Sequence, residues 1–264
     1  MLEEIINYKK KELEKRKKEI SLDIIIKGLS LLSNQPKAKD MVGLLKGKER
    51  INVIAEIKRK SPSRGYINEN IDPIDIAIEY EKGGASAISI LTDHHFFGGD
   101  IEEMTMVKRS VDIPILRKDF IFDEYQIYES CSYEADCVLL IAKILTQEEL
   151  SKFLVILHHF DMSALCEAYD EEDLEKILST DAKIIGINNR NLQTLEVDIE
   201  NSVRLASKIP SDRIIVAESG IKSRRDIEYL KQTAGINCFL VGEYLMEPGE
   251  KTTSERLKGL IYGN

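Results

Sequence analysis

Asn52-Val53-Ile54-Ala55-Glu56-Ile57-Lys58-Arg59-Lys60-Ser61-Pro62-Ser63-Arg64-Gly65 opens as an apolar run and ends as a cationic loop. Val53, Ile54, Ala55 and Ile57 suit a strand covered on both faces, whereas Glu56 and Lys58, two residues apart, point to one side. Ionised side chains are costly to desolvate, so an acid and a base at the end of a buried strand are either paired or used on a ligand. Seven further runs of this kind follow: Ala87 to Leu91, Ile113 to Leu116, Cys137 to Ile141, Ser163 to Glu167, Ile184 to Asn188, Ile214 to Glu218 and Cys238 to Val241. Helix start signals lie between them. Asp72-Pro73 precedes Ile74 to Lys82, Thr146-Gln147-Glu148-Glu149 reads as a capping box, Ser223 precedes Arg224 to Lys231, and further helices are expected near Glu124, Asp170 and Ile199. Strand then helix, repeated eight times over about 210 residues, predicts an α/β fold: a single (β/α)8 TIM barrel. An open doubly wound sheet gives the same alternation, but the first βα turn has no G-x-G-x-x-G and six strands would suffice for that fold.

With 264 residues, 43% of them apolar, the chain can build one large core, and nothing in it reads as a linker. The expectation is a single domain over 1–264, of which about 1–48 is an N-terminal helical extension. Met1 to about Leu32 reads as helix, with Leu2, Ile6 and Leu13 on one stripe and Lys9, Lys10 and Lys11 on a mostly solvated face. The polar piece Ser33 to Asp40 then leads towards the first strand. A net charge of -9 argues against nucleic-acid binding and against attraction to anionic membranes. No run approaches the roughly 20 apolar residues of a membrane span, and Met1-Leu2-Glu3-Glu4 does not begin a signal peptide, so a cytoplasmic protein is expected. Cys131, Cys137, Cys166 and Cys238 show no Cys-x-x-Cys spacing and read as reduced core residues. The adjacent pairs His94-His95 and His158-His159 do not have helical ligand spacing, and no metal site is expected.

A barrel of this kind carries its active site at the C-terminal ends of the strands. Polar residues gather there: Glu56 and Lys58 on the first strand, Lys118 after the third, Glu167 on the fifth, Asn188 on the sixth with Arg190 beyond it, and Glu218-Ser219 on the seventh. Gly220 and Gly242 fall at the ends of strands seven and eight, where backbone N–H groups and a helix start commonly hold phosphate.

These residues sit in recognisable motifs. Ala55 to Ser63, Leu91-Thr92-Asp93 with Phe96-Phe97-Gly98-Gly99, Leu116-Arg117-Lys118-Asp119-Phe120, Gly186-Ile187-Asn188-Asn189-Arg190-Asn191-Leu192 and Ala217-Glu218-Ser219-Gly220-Ile221 occur in that order. From about Ile51 to Met246 the chain resembles the indole-3-glycerol-phosphate synthase family. It departs at Glu243, where some members have a small hydroxyl residue, at Tyr169, where histidine is common, and at Glu247, where a basic residue often follows.

The resemblance implies ring closure of 1-(2-carboxyphenylamino)-1-deoxyribulose 5-phosphate to an indole, with loss of carbon dioxide and water, in tryptophan biosynthesis. The ketone oxygen must gain a proton as the ring attacks, and Lys118 matches the family's general acid. The hydroxyl then leaves with a proton while the anilinium-like nitrogen loses one; Glu167 matches the base. Lys58 is a second ammonium, and the acid roles stay undivided between Lys58 and Lys118. Glu56 would hold Lys58, with Glu218 and Asn188 completing the polar ring. Arg190, Ser61 and Ser219 are substrate-binding candidates, Phe97 and Leu192 would sandwich the aromatic ring, and Lys60 with Gly220, Gly242 and Glu243 would address phosphate. In this reading Glu243 donates its backbone amide while its side chain turns outward. No cofactor is implied. The expected partner is a small phosphorylated substrate, with no nucleic acid or membrane, for a monomer whose association with other tryptophan-pathway enzymes stays open. The rival readings are another phosphate-binding barrel such as phosphoribosylanthranilate isomerase, which needs no two ammonium groups on strands one and three, and a non-catalytic sugar-phosphate-binding barrel, which needs no buried acid–base set.

Overall fold

The computed structural model describes residues 1–31, 37–47, 50–62, 64–191 and 194–263. Eight parallel strands close into a barrel: β1 (Asn52–Ile57), β2 (Ala87–Leu91), β3 (Ile115–Lys118), β4 (Cys137–Ile141), β5 (Ser163–Ala168), β6 (Ile184–Asn188), β7 (Ile214–Glu218) and β8 (Cys238–Val241). The ring closes through β8 and β1, paired from Asn52↔Cys238 to Ala55↔Val241, which removes both sheet edges. The third strand lies two residues later than expected. Pro114 has no N–H to give to a ladder, so it cannot continue the strand N-terminally, and its carbonyl accepts from Ile88 N at the entry. Lys118 therefore ends β3 rather than following it.

Strand parity decides what enters the barrel. Val53, Ala55 and Ile57 face the helices in one core cluster, while Ile54 belongs to a second cluster with Leu116, Leu139, Leu165, Ile184, Val216 and Leu240 inside the ring. Side chains two residues further along each inward row are Glu56, Lys118, Ile141, Glu167, Gly186, Glu218 and Gly242. Six residues of that row thus carry an ionisable group or no side chain at all at the strand ends. The helices between strands start where capping residues stand. Asp72 accepts from Ile74 N with Pro73 opening the helix, and Thr146 with Glu149 and Ser223 with Asp226 each form a reciprocal capping box.

The N-terminal segment departs from the sequence reading in two respects. It is not one helix: α1 (Leu2–Glu19) ends as Ile20 turns extended, and α2 (Leu22–Leu31) packs along the barrel side against the helix Glu124–Ser132. Nor are the lysines of α1 all wet. Ile5, Lys9 and Leu13, at i, i+4 and i+8, share the buried face, and of the run Lys9, Lys10 and Lys11 the last two are exposed. Lys9 reaches Asp119 at 2.8 Å and Asp93 at 3.5 Å across the mouth, and Arg16 and Lys17 pair with Glu129 and Asp123. Further on, the helix Met41–Leu45 plugs the opposite end of the ring, where Cys238 Sγ meets the Leu45 carbonyl and Asn52 and Asn237 donate to the Gly47 carbonyl. The N-terminal extension therefore touches both ends of the barrel.

Candidate active site

One cavity opens at the C-terminal end of the barrel, and Glu56, Lys58, Ser61, Phe97, Lys118, Glu167, Asn188, Arg190, Ser219, Gly220, Gly242 and Glu243 all line it. Met1, Leu2 and Ile5 of α1 form part of its wall, with Phe120, Leu139, Ile141 and Leu240 supplying apolar surface. Glu218 lies just beneath, almost completely buried. Lys60 does not line the cavity. Its ammonium donates to the His95 carbonyl at 2.6 Å and lies over the Tyr66 ring, because Lys60 starts a short hairpin that turns away from the barrel axis. Leu192 lies outside the described residues.

A single carboxylate ties the two ammonium groups together. Glu56 Oε1 meets Lys58 Nζ at 2.7 Å, and Oε2 meets Lys118 Nζ at 3.1 Å; Lys118 is also 3.0 Å from Glu218 Oε2. Burial alone would raise the Glu56 carboxyl, but Lys118 and Lys58 outweigh it and hold it down to about 2. Burial likewise works to lower Lys118, and Glu56, Glu218 and Glu167 reverse this, so its ammonium is held well above the ordinary lysine value. Glu167 behaves oppositely. Burial and the Glu218 charge push it up to about 8, against Lys118 and the Asn188 amide. Two carboxyls in one site thus differ by environment, a pattern that marks acid–base function.

Asn188 is fixed from behind. Its Oδ1 accepts from Arg190 N and from Ser219 Oγ, each at 2.9 Å, which aims its amide nitrogen at Glu167. Ser219 holds φ 66°, a left-handed backbone unusual for a residue with a Cβ, and Gly220 follows at φ 83°. Such geometry is retained where the surrounding structure demands it, and it places this turn at the cavity rim. Gly242 is different. Its φ of -124° is open to any residue, so no special backbone requires glycine there. A Cβ on Gly242 would instead overlap Glu56 Oε1, and it is the Glu56 carboxylate that needs the space.

The Glu243 side chain does not turn outward. Oε1 pairs with Arg64 at 2.6 Å and Oε2 with Arg190 at 3.2 Å, and Arg64 also meets Glu247 at 2.6 Å. Glu243 and Glu247, the unusual acids of this chain, are the counter-charges of the arginine on the loop after β1. Tyr169 is half-buried and off the cavity, its hydroxyl accepting from the Asn191 amide at 3.0 Å. Sequence reasoning missed Arg64, the Lys9–Asp119–Asp93 cluster and the wholly buried Arg117, which binds Thr92, Ser130, Asp119 and Glu129 behind β3. The readable signal for Arg117 was an arginine on the outward parity of a strand, where only a buried partner could accept it.

An acid–base ring at the C-terminal mouth of a closed (β/α)8 barrel defines an enzyme of that fold class. The fold alone is shared with the N-acetylmannosamine-6-phosphate 2-epimerase from Clostridium perfringens, at a TM-score of 0.59 and 15% identity over 80% of this chain and 93% of that one. Residues 2–257 match the family described as indole-3-glycerol phosphate synthase. Relatives bearing that name include those of Campylobacter jejuni subsp. doylei, 45% identical over 99% of this chain and 100% of the relative, and of Sulfurimonas denitrificans, 46% identical over 98% of each. That of Acetivibrio thermocellus is 42% identical, again over 98% of each. The chain belongs to the indole-3-glycerol phosphate synthase family, enzymes of tryptophan biosynthesis.

Proposed function

We propose that this chain is a carbon–carbon lyase that closes 1-(2-carboxyphenylamino)-1-deoxyribulose 5-phosphate to indole-3-glycerol phosphate, releasing carbon dioxide and water. The observation that supports this most is the Lys118 ammonium, held between Glu56 and Glu218 and facing the cavity at the end of β3. A fixed ammonium can give its proton to the ketone oxygen while the aromatic carbon attacks. Lys58, on the other oxygen of Glu56, is placed to hold the substrate carboxylate or to protonate the departing hydroxyl. Glu167 takes the role of base, oriented by the Asn188 amide. The phosphate is assigned to the rim of Gly220, Gly242 and Ser219, with Arg190 supplying a guanidinium that lines the same cavity.

The remaining assignments follow from the same reading. The partner is this one phosphorylated small molecule, the working unit is the monomer, and the compartment is the cytoplasm. No described helix is long and apolar enough to cross a membrane. The test is direct: the purified chain, given the ribulose phosphate, should produce indole fluorescence. A chain that binds the substrate but produces no indole would favour the non-catalytic barrel, and conversion of a phosphoribosyl amine without decarboxylation would favour the isomerase.

A further inference from the structure

Glu167 and Glu218 stand on β5 and β7, with β6 between them. Gly186 of β6 is the register partner of Glu167, on the inward row, one position before Asn188, which pairs with Glu218. Any side chain at 186 would stand between the two acids. A Cβ there would overlap Glu218 Oε1 and come within 3.3 Å of Leu165 Cδ1. The Glu218 carboxylate therefore leans across the bare glycine towards Glu167. Its Oε2 accepts from Lys118, but Oε1 is buried and has no donor among the described residues while both acids are ionised. A buried acceptor without a donor is destabilising, and the facing carboxyl can remove that cost by carrying a proton. We propose that Gly186 is a positioning residue that lets Glu167 and Glu218 share one proton, and that this proton recharges Lys118 after Lys118 has protonated the substrate.

The proton count of the ring closure calls for such a store, and this half of the proposal rests on the function proposed above. A carbon–carbon bond forms at the ketone carbon, and the oxygen takes one proton from Lys118. The bond to the carboxylate breaks, its electron pair returns to the ring, and carbon dioxide leaves. The carbon–oxygen bond then breaks as the hydroxyl takes a second proton and leaves as water, and one proton returns to the base as the new ring becomes aromatic. Two protons enter and one comes back, in keeping with the loss of one carboxylate charge. A neutral Lys118 amine beside Glu218 takes the shared proton, which leaves Glu167 as the carboxylate that the last step requires. Accepting the returned proton restores the pair, and solvent supplies the one proton consumed. The charged groups facing the pair are Lys118 from β3 and, through it, Glu56 and Lys58 from β1 and its loop. Burial and the charge of Glu218 acting together hold Glu167 up to about 8, consistent with a proton retained at neutral pH.

Infrared titration of the free protein in the carboxyl region reads the pair without substrate. The wild type should show one neutral carboxyl at pH 7 that ionises near pH 8, and Glu167→Gln should lack it. Gly186→Ala displaces only the far end of a flexible side chain, so it should fold, and it should lower the midpoint by about one pH unit or more as the two acids separate. Glu218→Gln should lower it too, and decides alone if the alanine variant does not fold. No neutral carboxyl at pH 7 in the wild type, or a midpoint unmoved in both variants, overturns the shared proton. Gly186→Ala should also reduce kcat about tenfold or more with little change in KM. An unchanged kcat with a shifted midpoint overturns the recharging role. Failure of the protein to form indole would strike the proposed function and leave the titration result standing.

Discussion

Replacing Lys9 with methionine tests whether α1 is clamped to the barrel by charge. The ammonium is almost wholly buried and is 2.8 Å from Asp119 Oδ1, beside the equally buried Asp93. Removing one partner of a buried ion pair usually costs about 3–5 kcal/mol, since the other charge is left without compensation. The lower figure applies here, because Asp119 keeps Arg117 at 3.1 Å and the Thr92 hydroxyl at 2.8 Å. For a chain of this size about 3 kcal/mol corresponds to a fall in Tm of roughly 6–12 °C. The pH dependence has a definite sign. Burial would raise Asp119, but Lys9 and Arg117 hold it well below the ordinary aspartate value. Its pairing therefore contributes stability in full above the unfolded-state value near 3.8 and loses it as pH falls below that. The gap between wild type and Lys9→Met should be widest at pH 7 and should narrow by pH 3. Thermal unfolding followed by circular dichroism at both pH values measures it, with Lys10→Met, on the exposed face, as the control within about 0.5 kcal/mol of wild type. A Lys9 variant that melts with the control at pH 7, or a gap that ignores pH, would refute the clamp.

Three further outcomes are expected. Lys118→Ala should lower kcat about a hundredfold or more with a smaller change in KM, and a variant keeping most of its turnover removes Lys118 from the acid role. Glu167→Gln should bind substrate yet turn over poorly. Because the wild-type carboxyl is raised from 4.5 to about 8, its folded state loses stability as pH rises through that window, so the glutamine variant should gain in relative stability between pH 5 and pH 9. Glu243→Ala should raise KM about threefold or more, as Arg190 and Arg64 lose a shared anchor; a lowered KM would mean that repulsion of the phosphate outweighs the anchoring.

The barrel was legible because its signal is local. The strands are apolar runs of four to six residues, several of which carry a polar residue at or next to their C-terminal end, and parity along those runs already puts Glu56, Glu167, Asn188 and Glu218 inward. The displacement of β3 was legible as well, in Pro114. What the sequence hid are partnerships set by closure of the ring. The basic run of α1 looks solvated because the partner near Lys9 in sequence, Glu12, is itself part-exposed, whereas its buried acceptors lie beyond β2 and β3. Glu243 looks like a charge opposed to phosphate until Arg64 and Arg190 arrive from the loops after β1 and β6. At Gly242 the sequence offers a turn for phosphate, and it does not show that the missing side chain also leaves room for Glu56 from the neighbouring strand.

The carboxylate cage around Lys118 also constrains when its proton moves. An ammonium held by Glu56 and Glu218, and raised above its ordinary value, is a weak acid, and a ketone oxygen is a weak base. Transfer before bond formation is therefore uphill on both sides. As the aromatic carbon attacks, the oxygen gains alkoxide character and its basicity climbs steeply, and only then does it compete with the cage for the proton. On the function proposed above, the charge that the cage stabilises in the free enzyme would make proton transfer follow carbon–carbon bond formation, and Lys118 would act first as a hydrogen-bond donor to the developing oxyanion and then as its acid. Once neutral, the amine no longer offsets Glu56 and Glu218. The site would then favour its prompt reprotonation, and the proton proposed to be held across Gly186 can supply it.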